Sequence, residues 1–456
     1  MPFFRSERGF IRSWEVILFC CGLALLAFGY GFAVSKYKIA PYHFISEAIS
    51  AAGSLKHLTD LRFGEAVGKN PHVIRVPGDI TVGQAGASQE KPQATTFLDP
   101  ARAFDGVTFL TMYRDNHFGM FLIDMHGRIL RSWTMPSEIA NKWRIGDYGF
   151  VFGSHLYRNG DVVFNINYEG MVKIDKDSHP LWTLREYTHH SIFVDVDGSI
   201  WAPSRRLVRD PKEAFPGLEV PYSEDLILKV SPQGRVMEKI SLLEALYKGN
   251  YEGLILSGDW TRPATPLSDP SHLNDVEIIQ EQFAKARPFV NKGDILVSCR
   301  IMDAIGIIDR KTKMMKWSLS GPFLRQHDPD PLPDGTIIVF DNRADLAHWN
   351  FIEYSDKPGR FGYSRVIRLD PETQKIVWCY EGSPQHPFYS SIHGKEQVLG
   401  NGNVLIVESE AGRVFEVEPK SKEIVWEFRN ILGDGTRGRV TDAIRIRKED
   451  LDFLKK

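Results

Sequence analysis

The run SRVIRLDPETQKIVWCYEG, residues 364–382, decides the fold. A first strand ends at Leu369, the acid Asp370 opens a turn, and a second strand carries Trp378 eight residues after that acid. The unit recurs at Ile123-Asp124…Trp133, Ile174-Asp175…Trp182, Val230-Ser231…Ile240, Ile308-Asp309…Trp317 and Val417-Glu418…Trp426. Six copies of one hairpin mean six similar β units, and radial repetition is how such units hide their sheet edges. A β-sandwich does not call for them. A second hairpin precedes most copies, as in HHSIFVDVDGSIWAPS (189–204), HDPDPLPDGTIIVFDN (327–342) and HGKEQVLGNGNVLIVES (393–409). Together they make four strands per unit. The sequence therefore predicts an all-β, six-bladed β-propeller over residues 105–456. Its first unit, VTFLTM, GMFLID and RILRSW, lacks one strand, which VTDAIRI (440–446) is expected to supply, closing the ring.

Outside the propeller the pattern changes. VILFCCGLALLAFGYGFAVS (16–35) carries no charge and is long enough to span a bilayer as a helix. Trp14 and Tyr37 flank it, with Arg5, Arg8 and Arg12 before and Lys36 and Lys38 after. The expected organisation is a cytoplasmic N-terminus over 1–13, a transmembrane helix over 14–35, and a juxtamembrane segment and linker over 36–104. A cleaved signal peptide is the rival, although no clean small-x-small site follows the apolar run. Within 36–104, Phe44, Ile45, Ile49, Leu55, Leu58 and Leu61 fall at helical spacing, and 78–104 is rich in Gly, Pro, Gln, Ala and Thr. The propeller is expected on the periplasmic or extracellular side, and the lack of any Asn-x-Ser/Thr sequon favours the periplasm. The 456 residues are 43% hydrophobic with a net charge of −2, which allows a large core and gives no reason to expect nucleic acid. Four cysteines are too few for a disulfide framework.

The innermost strand of a blade lines the central channel, and several histidines open such strands. His190 and His327 stand eight residues before the turn glycine, His393 nine, and His272 opens an equivalent strand in SHLND. Residues closing the second strands share that rim: Ser204-Arg205-Arg206, Ser298-Cys299-Arg300, Asp341-Asn342-Arg343 and Glu408-Ser409-Glu410. Histidine beside arginine in three blades suits a small anion, because guanidinium offers a planar fork and imidazole a donor or base. A sulfate ester fits. An imidazole nitrogen takes the sulfuryl group while other donors neutralise its oxygens and a second histidine protonates the leaving phenolate. His189 is expected to face away from the channel. No metal-ligand spacing, Gly-rich phosphate loop or serine elbow appears, so neither metal nor cofactor is expected.

The stretches HLNDVEII…GDILVSCR (272–300), IIDRKTKMMKWSLSG (307–321), QHDPDPLPDGTIIVFDN (326–342), SRVIRLDPETQKIVWCYEG and LGNGNVLIVESEAGRVFEV (399–417) resemble the bacterial arylsulfate sulfotransferases. The likeness spans about residues 105–447. It implies a six-bladed propeller that moves a sulfuryl group from an aryl sulfate to a phenol through a sulfohistidine, without a nucleotide donor. It also implies that His327 and Arg343 contact the sulfate, with less direct support for His190 and His272. Two departures stand out. The family's nucleophilic histidine lies near the end of the second strand in the blade after QHD, where this chain has Glu408, Ser409 and Glu410. Its arginine usually follows FDN by a few residues, with Gly directly after, whereas Arg343 follows FDN at once. His393, on the other arm of that hairpin, is then the candidate nucleophile. The expected site comprises His327, His393, His190 and His272 for chemistry, and Arg343, Arg300, Arg205, Asn342 and Asn274 for the substrate. The leading reading is a membrane-anchored aryl sulfotransferase-like enzyme acting on small aryl sulfates and phenols. The alternative is a non-catalytic propeller binding an anionic ligand or a membrane protein partner. A quinoprotein-type dehydrogenase is disfavoured because the tryptophans belong to the outer hairpin.

Overall fold

The computed structural model of the protein describes residues 13–37, 73–74, 95–143, 150–257, 269–344, 359–433 and 435–455. Six antiparallel sheets follow one another along the chain as six blades. Blade 2 is formed by Val151–Leu156, Val162–Ile166, Gly170–Ile174 and Pro180–Leu184. Blade 3 contains Phe193–Val194, Ile200–Val208, Tyr222–Val230 and Val236–Ser241. Leu273–Ile278, Ile295–Cys299, Ala304–Ile308 and Met315–Ser320 build blade 4. His327–Pro331, Ile337–Asp341, Arg365–Leu369 and Ile376–Glu381 build blade 5. In blade 6, Lys395–Val398, Val404–Glu408, Arg413–Val417 and Ile424–Arg429 are joined by a fifth strand, Thr95–Leu98, on the outer edge. Blade 1 takes Val107–Arg114, His117–Ile123 and Ile129–Thr134 from the start of the ring and its innermost strand, Val440–Ile446, from the end. Ile446 lies opposite Val107 and Val440 opposite Met112, so VTDAIRI is the strand that blade 1 lacked.

The repeated residues have a shared physical task. In each acidic copy the carboxylate accepts backbone N–H groups of its own turn: His126 and Arg128 for Asp124, Asp177 and His179 for Asp175, Lys311 and Thr312 for Asp309. Asp370 does the same for Glu372 and Thr373, and Glu418 for Lys420 and Ser421. Local acceptors of this kind hold tight turns. The tryptophans reach forward to the next blade. The indole N–H of Trp182 donates to the Pro232 carbonyl, that of Trp378 to Pro419, that of Trp133 to Gly160 and that of Trp426, across the closure, to Met125.

The core lies between the blades. Phe109, Val162 and Phe164 meet between blades 1 and 2, Ile305, Val339 and Ile367 between blades 4 and 5, and Leu110, Leu405 and Phe428 between blades 6 and 1. Second strands covered on both faces read as unbroken apolar runs rather than as alternation.

The segment expected as a linker contributes to the ring. Thr95–Leu98 covers the free edge of blade 6, and Val73–Ile74 pairs with Arg437–Gly438 just before the closing strand. An unpaired outer edge is a liability that a covering strand removes. The N-terminal helix runs over Ser13–Tyr37, with Leu18, Phe19, Leu23, Leu25, Leu26 and Phe28 all more than half exposed. Among the described residues no helix is long and apolar enough to cross a membrane, so the structure provides the helix and leaves the span an expectation. The helical spacing at 44–61 lies outside the described residues. Both cysteines of the body, Cys299 and Cys379, are free.

Closure is locked by a buried ion pair. Arg445 of the closing strand meets Glu416 of blade 6 at 3.3 Å, donates to Thr108 Oγ1 (2.6 Å) and the Phe104 carbonyl (2.7 Å), and lies over Trp426. Burial pulls its guanidinium down to about 10, against the pull of Glu416. Removing one member of such a pair strands the other charge. Arg445→Met is expected to cost about 3–5 kcal/mol in urea unfolding, and the double variant with Glu416→Gln to cost less than the single one.

Candidate active site

The innermost strands of four consecutive blades start with an imidazole at one rim of the channel. His190 precedes blade 3, His272 precedes blade 4, His327 opens blade 5 and His393 precedes blade 6. The His190 ring centroid is 5.1 Å from that of His272 and 6.4 Å from those of His327 and His393, which are themselves 6.1 Å apart. All four expected histidines are therefore brought together. His190, His272 and His393 have positive φ, +52°, +49° and +59°. Left-handed backbone costs a non-glycine residue about 1 kcal/mol, and strain of this kind concentrates at functional sites. Blade 2 has Gly153 at φ +52°, where any Cβ would run into the His190 carbonyl.

Each ring is held differently. His327 Nδ1 donates to Asn342 Oδ1 at 2.7 Å; the amide is oriented by its own NH2, which donates to the carbonyls of Ser390 (2.8 Å) and His393 (2.7 Å). His272 Nδ1 donates to the Asp269 carboxylate at 2.6 Å. His190 Nδ1 meets His189 Nδ1 at 2.8 Å, one donating to the other, while His189 Nε2 lies 3.7 Å from Asp225. His189 thus does not face away from the channel: the left-handed turn at His190 breaks strand alternation and folds the two rings together. The Nδ1 of His393 has no hydrogen-bond partner among the described residues, and its ring rests 4.5 Å from that of Phe152.

Burial strips these imidazoles of the water that would support a charge. His327 is pushed down to about 3 by burial and then by the Arg300 charge, and His190 and His393 also fall well below the usual histidine range, chiefly through burial. A neutral His327 that spends its proton on Asn342 offers a lone pair at Nε2. That nitrogen is the accepting side of the ring. Asp269 is held at about 2, where burial opposes its ionisation but the neighbouring His272 outweighs it.

The arginines divide. Arg343 does not line the cavity: its guanidinium pairs with Glu381 and stands 4.0 Å from Asp341. Arg205 lies on the face of Tyr168, 3.5 Å from the ring centre, and Tyr168 packs against His189 and His190. Arg300 is buried, and its charge acts on both His327 and His393. Arg439, which precedes the closing strand, bears on His393 more strongly than any other charge and lies over Phe150. Asn274 lines the cavity, with its NH2 donating to the Gln326 carbonyl. Glu408 and Glu410 accept backbone N–H groups of the turn before His393.

Phe150 and Phe152 stack at 5.2 Å and complete the rim on the blade 2 side. The cavity beneath, lined by His190, His327 and His393 together with Phe152, Ser191, Asp328, Lys395 and Thr441, holds about 30 Å³, room for one or two waters. Below it Lys395 pairs with Asp328 at 2.9 Å, and burial raises Asp275 to about 7 and holds Glu277, Asp330 and Glu396 well above the carboxylate range. Sequence reasoning missed Asp269, Phe152 and Arg439. Only Arg439 had a signal, since it precedes VTDAIRI as His393 precedes its own strand. Among the described residues no group of histidine, cysteine and carboxylate side chains is arranged to hold a metal.

Depressed histidines tie stability to pH. Below about pH 6.5 the unfolded chain protonates at His189 and His327 while the fold, with both near 3, does not. Stability is complete above that value and declines as pH falls toward 3, by at most about 1.4 kcal/mol per pH unit for each histidine. Urea titrations between pH 7 and 4 are expected to show this slope, and His327→Gln to flatten it.

The family described as arylsulfotransferase (ASST) matches residues 147–431. No curated protein matches the chain. Similar solved structures include a protein of unknown function from Bacteroides caccae (13% identity, TM-score 0.46, covering 76% of this chain and 100% of that one). The WD40 β-propeller domain of Doa1 is similar at 12% identity and TM-score 0.40, covering 78% and 98%. Virginiamycin B lyase from Staphylococcus aureus follows at 9% identity and TM-score 0.38, covering 73% and 87%. Likenesses this remote carry no argument about function.

Proposed function

The chain belongs to the arylsulfotransferase family, and from that premise we propose that it transfers a sulfuryl group from an aryl sulfate ester to a phenolic acceptor at the four-histidine rim. The observation that carries the reading is the convergence of four imidazoles, three of them held neutral by burial, beside the charges of Arg300 and Arg439. A neutral imidazole is a nucleophile; an imidazolium is not.

His393 is the nucleophile in this reading. Its nitrogen lone pair attacks sulfur, the S–O bond to the aryl group breaks, and the departing phenolate takes a proton from His272, whose ring Asp269 steadies. The acceptor phenol then attacks the sulfohistidine, giving its proton to Nε2 of His327 or His190 as the S–N bond breaks, and that proton returns to His272 before the next turnover. Arg300 and Arg439 supply positive charge for the sulfuryl oxygens. A cavity of about 30 Å³ leaves no room for an arene, so the aryl ring stays at the rim against Phe150 and Phe152.

The exposed apolar residues of the Ser13–Tyr37 helix support a membrane anchor, with the propeller on the periplasmic or extracellular side. Full-length protein is expected to float with liposomes and protein lacking residues 1–37 to stay at the bottom of the gradient. Equal sedimentation of both rules out the anchor.

Turnover of a chromogenic aryl sulfate with a phenol is expected from the full chain. His393→Ala and His327→Ala are expected to lower it at least about 10²-fold, with a sulfuryl adduct on His393 in wild-type digests. A folded wild type silent across several aryl sulfates overturns the enzyme and leaves an anion-binding propeller.

A further inference from the structure

We infer that Glu410, together with Glu408, is a positioning residue for His393. Both acids stand where a reactive side chain was expected, yet both are buried, Glu408 fully and Glu410 to 6% exposure. Their carboxylates point back at the other arm of the hairpin. Glu408 Oε1 accepts the Tyr389 N–H at 2.9 Å. Glu410 Oε2 takes three donors: the Ser391 N–H, the Ser391 hydroxyl at 2.9 Å and the Ile392 N–H at 3.1 Å. The carbonyl side of the same turn is held from blade 5, where Asn342 donates to Ser390 and His393 and is itself bonded to His327. Between the acids and the amide, the turn from Tyr389 to His393 has few backbone groups left to rearrange. That is what a left-handed His393 needs, because an unsupported turn relaxes toward negative φ and carries the ring off the rim. Glu410 also acts electrostatically on Arg439, the charge that bears most on His393. One carboxylate therefore bears on the nucleophile's placement and on the cation that acts on it most strongly. In effect the second strand supplies the clamp and the first strand supplies the imidazole.

The kinetic arm of the test rests on the sulfuryl-transfer reading; the labelling arm does not. Full-length wild type, Glu410→Ala and Glu410→Gln are compared for thermal midpoint, for kcat and KM with a chromogenic aryl sulfate and a phenol, and for carbethoxylation of His393 relative to His327 by peptide mass spectrometry. Glu410→Ala is expected to lower kcat about 10²-fold, as a misplaced reacting group does, with KM nearly unchanged. Its His393 labelling ratio departs from wild type. Glu410→Gln, which keeps an acceptor oxygen, recovers part of both. Folded variants whose kcat and labelling ratio equal those of wild type overturn the inference and leave the sulfotransferase standing. A silent wild type overturns the sulfotransferase, and the labelling ratio still decides the clamp. Where Glu410→Ala fails to fold, Ser391→Ala, which removes one of the three donors, is measured in its place with the same expected and overturning outcomes.

Discussion

An ionised side chain at the axis of a six-bladed ring has protein on every side but one and almost no water to solvate it. Desolvation is the constraint from which the rest follows. It keeps the imidazoles of His190, His327 and His393 uncharged, so their reactivity is set by which nitrogen already has a partner. It explains why Asp269 and Asn342 matter: each takes one ring proton and leaves the opposite nitrogen for chemistry. Deeper in the channel the same scarcity of water raises the carboxyls of Asp275, Glu277, Asp328, Asp330 and Glu396, and Lys395, paired with Asp328, is held charged by its acidic neighbours against the pull of burial.

Much of this was legible in the chain. The acid-to-tryptophan hairpin carried the blade count because its residues share a job: in five copies the acid caps its own turn, and in four the indole ties one blade to the next. The missing strand of blade 1 was legible too, since VTFLTM, GMFLID and RILRSW leave the first unit one strand short of the four the other units have, and VTDAIRI was the β run left over. His190, His327 and His393 were found through their distance of eight or nine residues from a turn glycine, and His272 through the equivalent strand it opens. What escaped notice depends on conformation rather than spacing. His189 was assigned the far face because strands alternate, and a single positive φ undoes alternation. Asp269 lies before its strand at no repeating offset, and Arg343 follows FDN as an anion ligand would but is spent on Glu381. Thr95–Leu98 escaped because an edge strand needs little hydrophobic pattern when only one of its sides meets protein.

The site also shows how one geometry accommodates different residues. In a hairpin the last residue of one strand and the first of its neighbour share a rim, so under the proposed mechanism the nucleophile stands on the first arm and the second arm takes on the task of support. Glu408 and Glu410 are buried, oriented and hydrogen-bonded to the turn that carries His393, and they are acceptors where a reactive group was expected. Similarly, cationic charge at the rim comes from Arg300 and Arg439, on blades 4 and 1, and not from the arginine beside the most family-like motif.

The strand that closes the ring has an implication for when function begins. Thr441 lines the site and Arg439 lies over Phe150, both from the last stretch of the ring, while Phe152 and His190 come from near its start. A ribosome releases these parts in order, so five blades are synthesised while the first still shows an open inner edge. Until Val440–Ile446 docks on Val107–Arg114, the nascent chain has a frayed sheet and a half-built pocket. The full set of cavity-lining residues consequently exists only in the finished ring. An intermediate stalled before that docking displays an adhesive sheet edge that a chaperone is suited to cover.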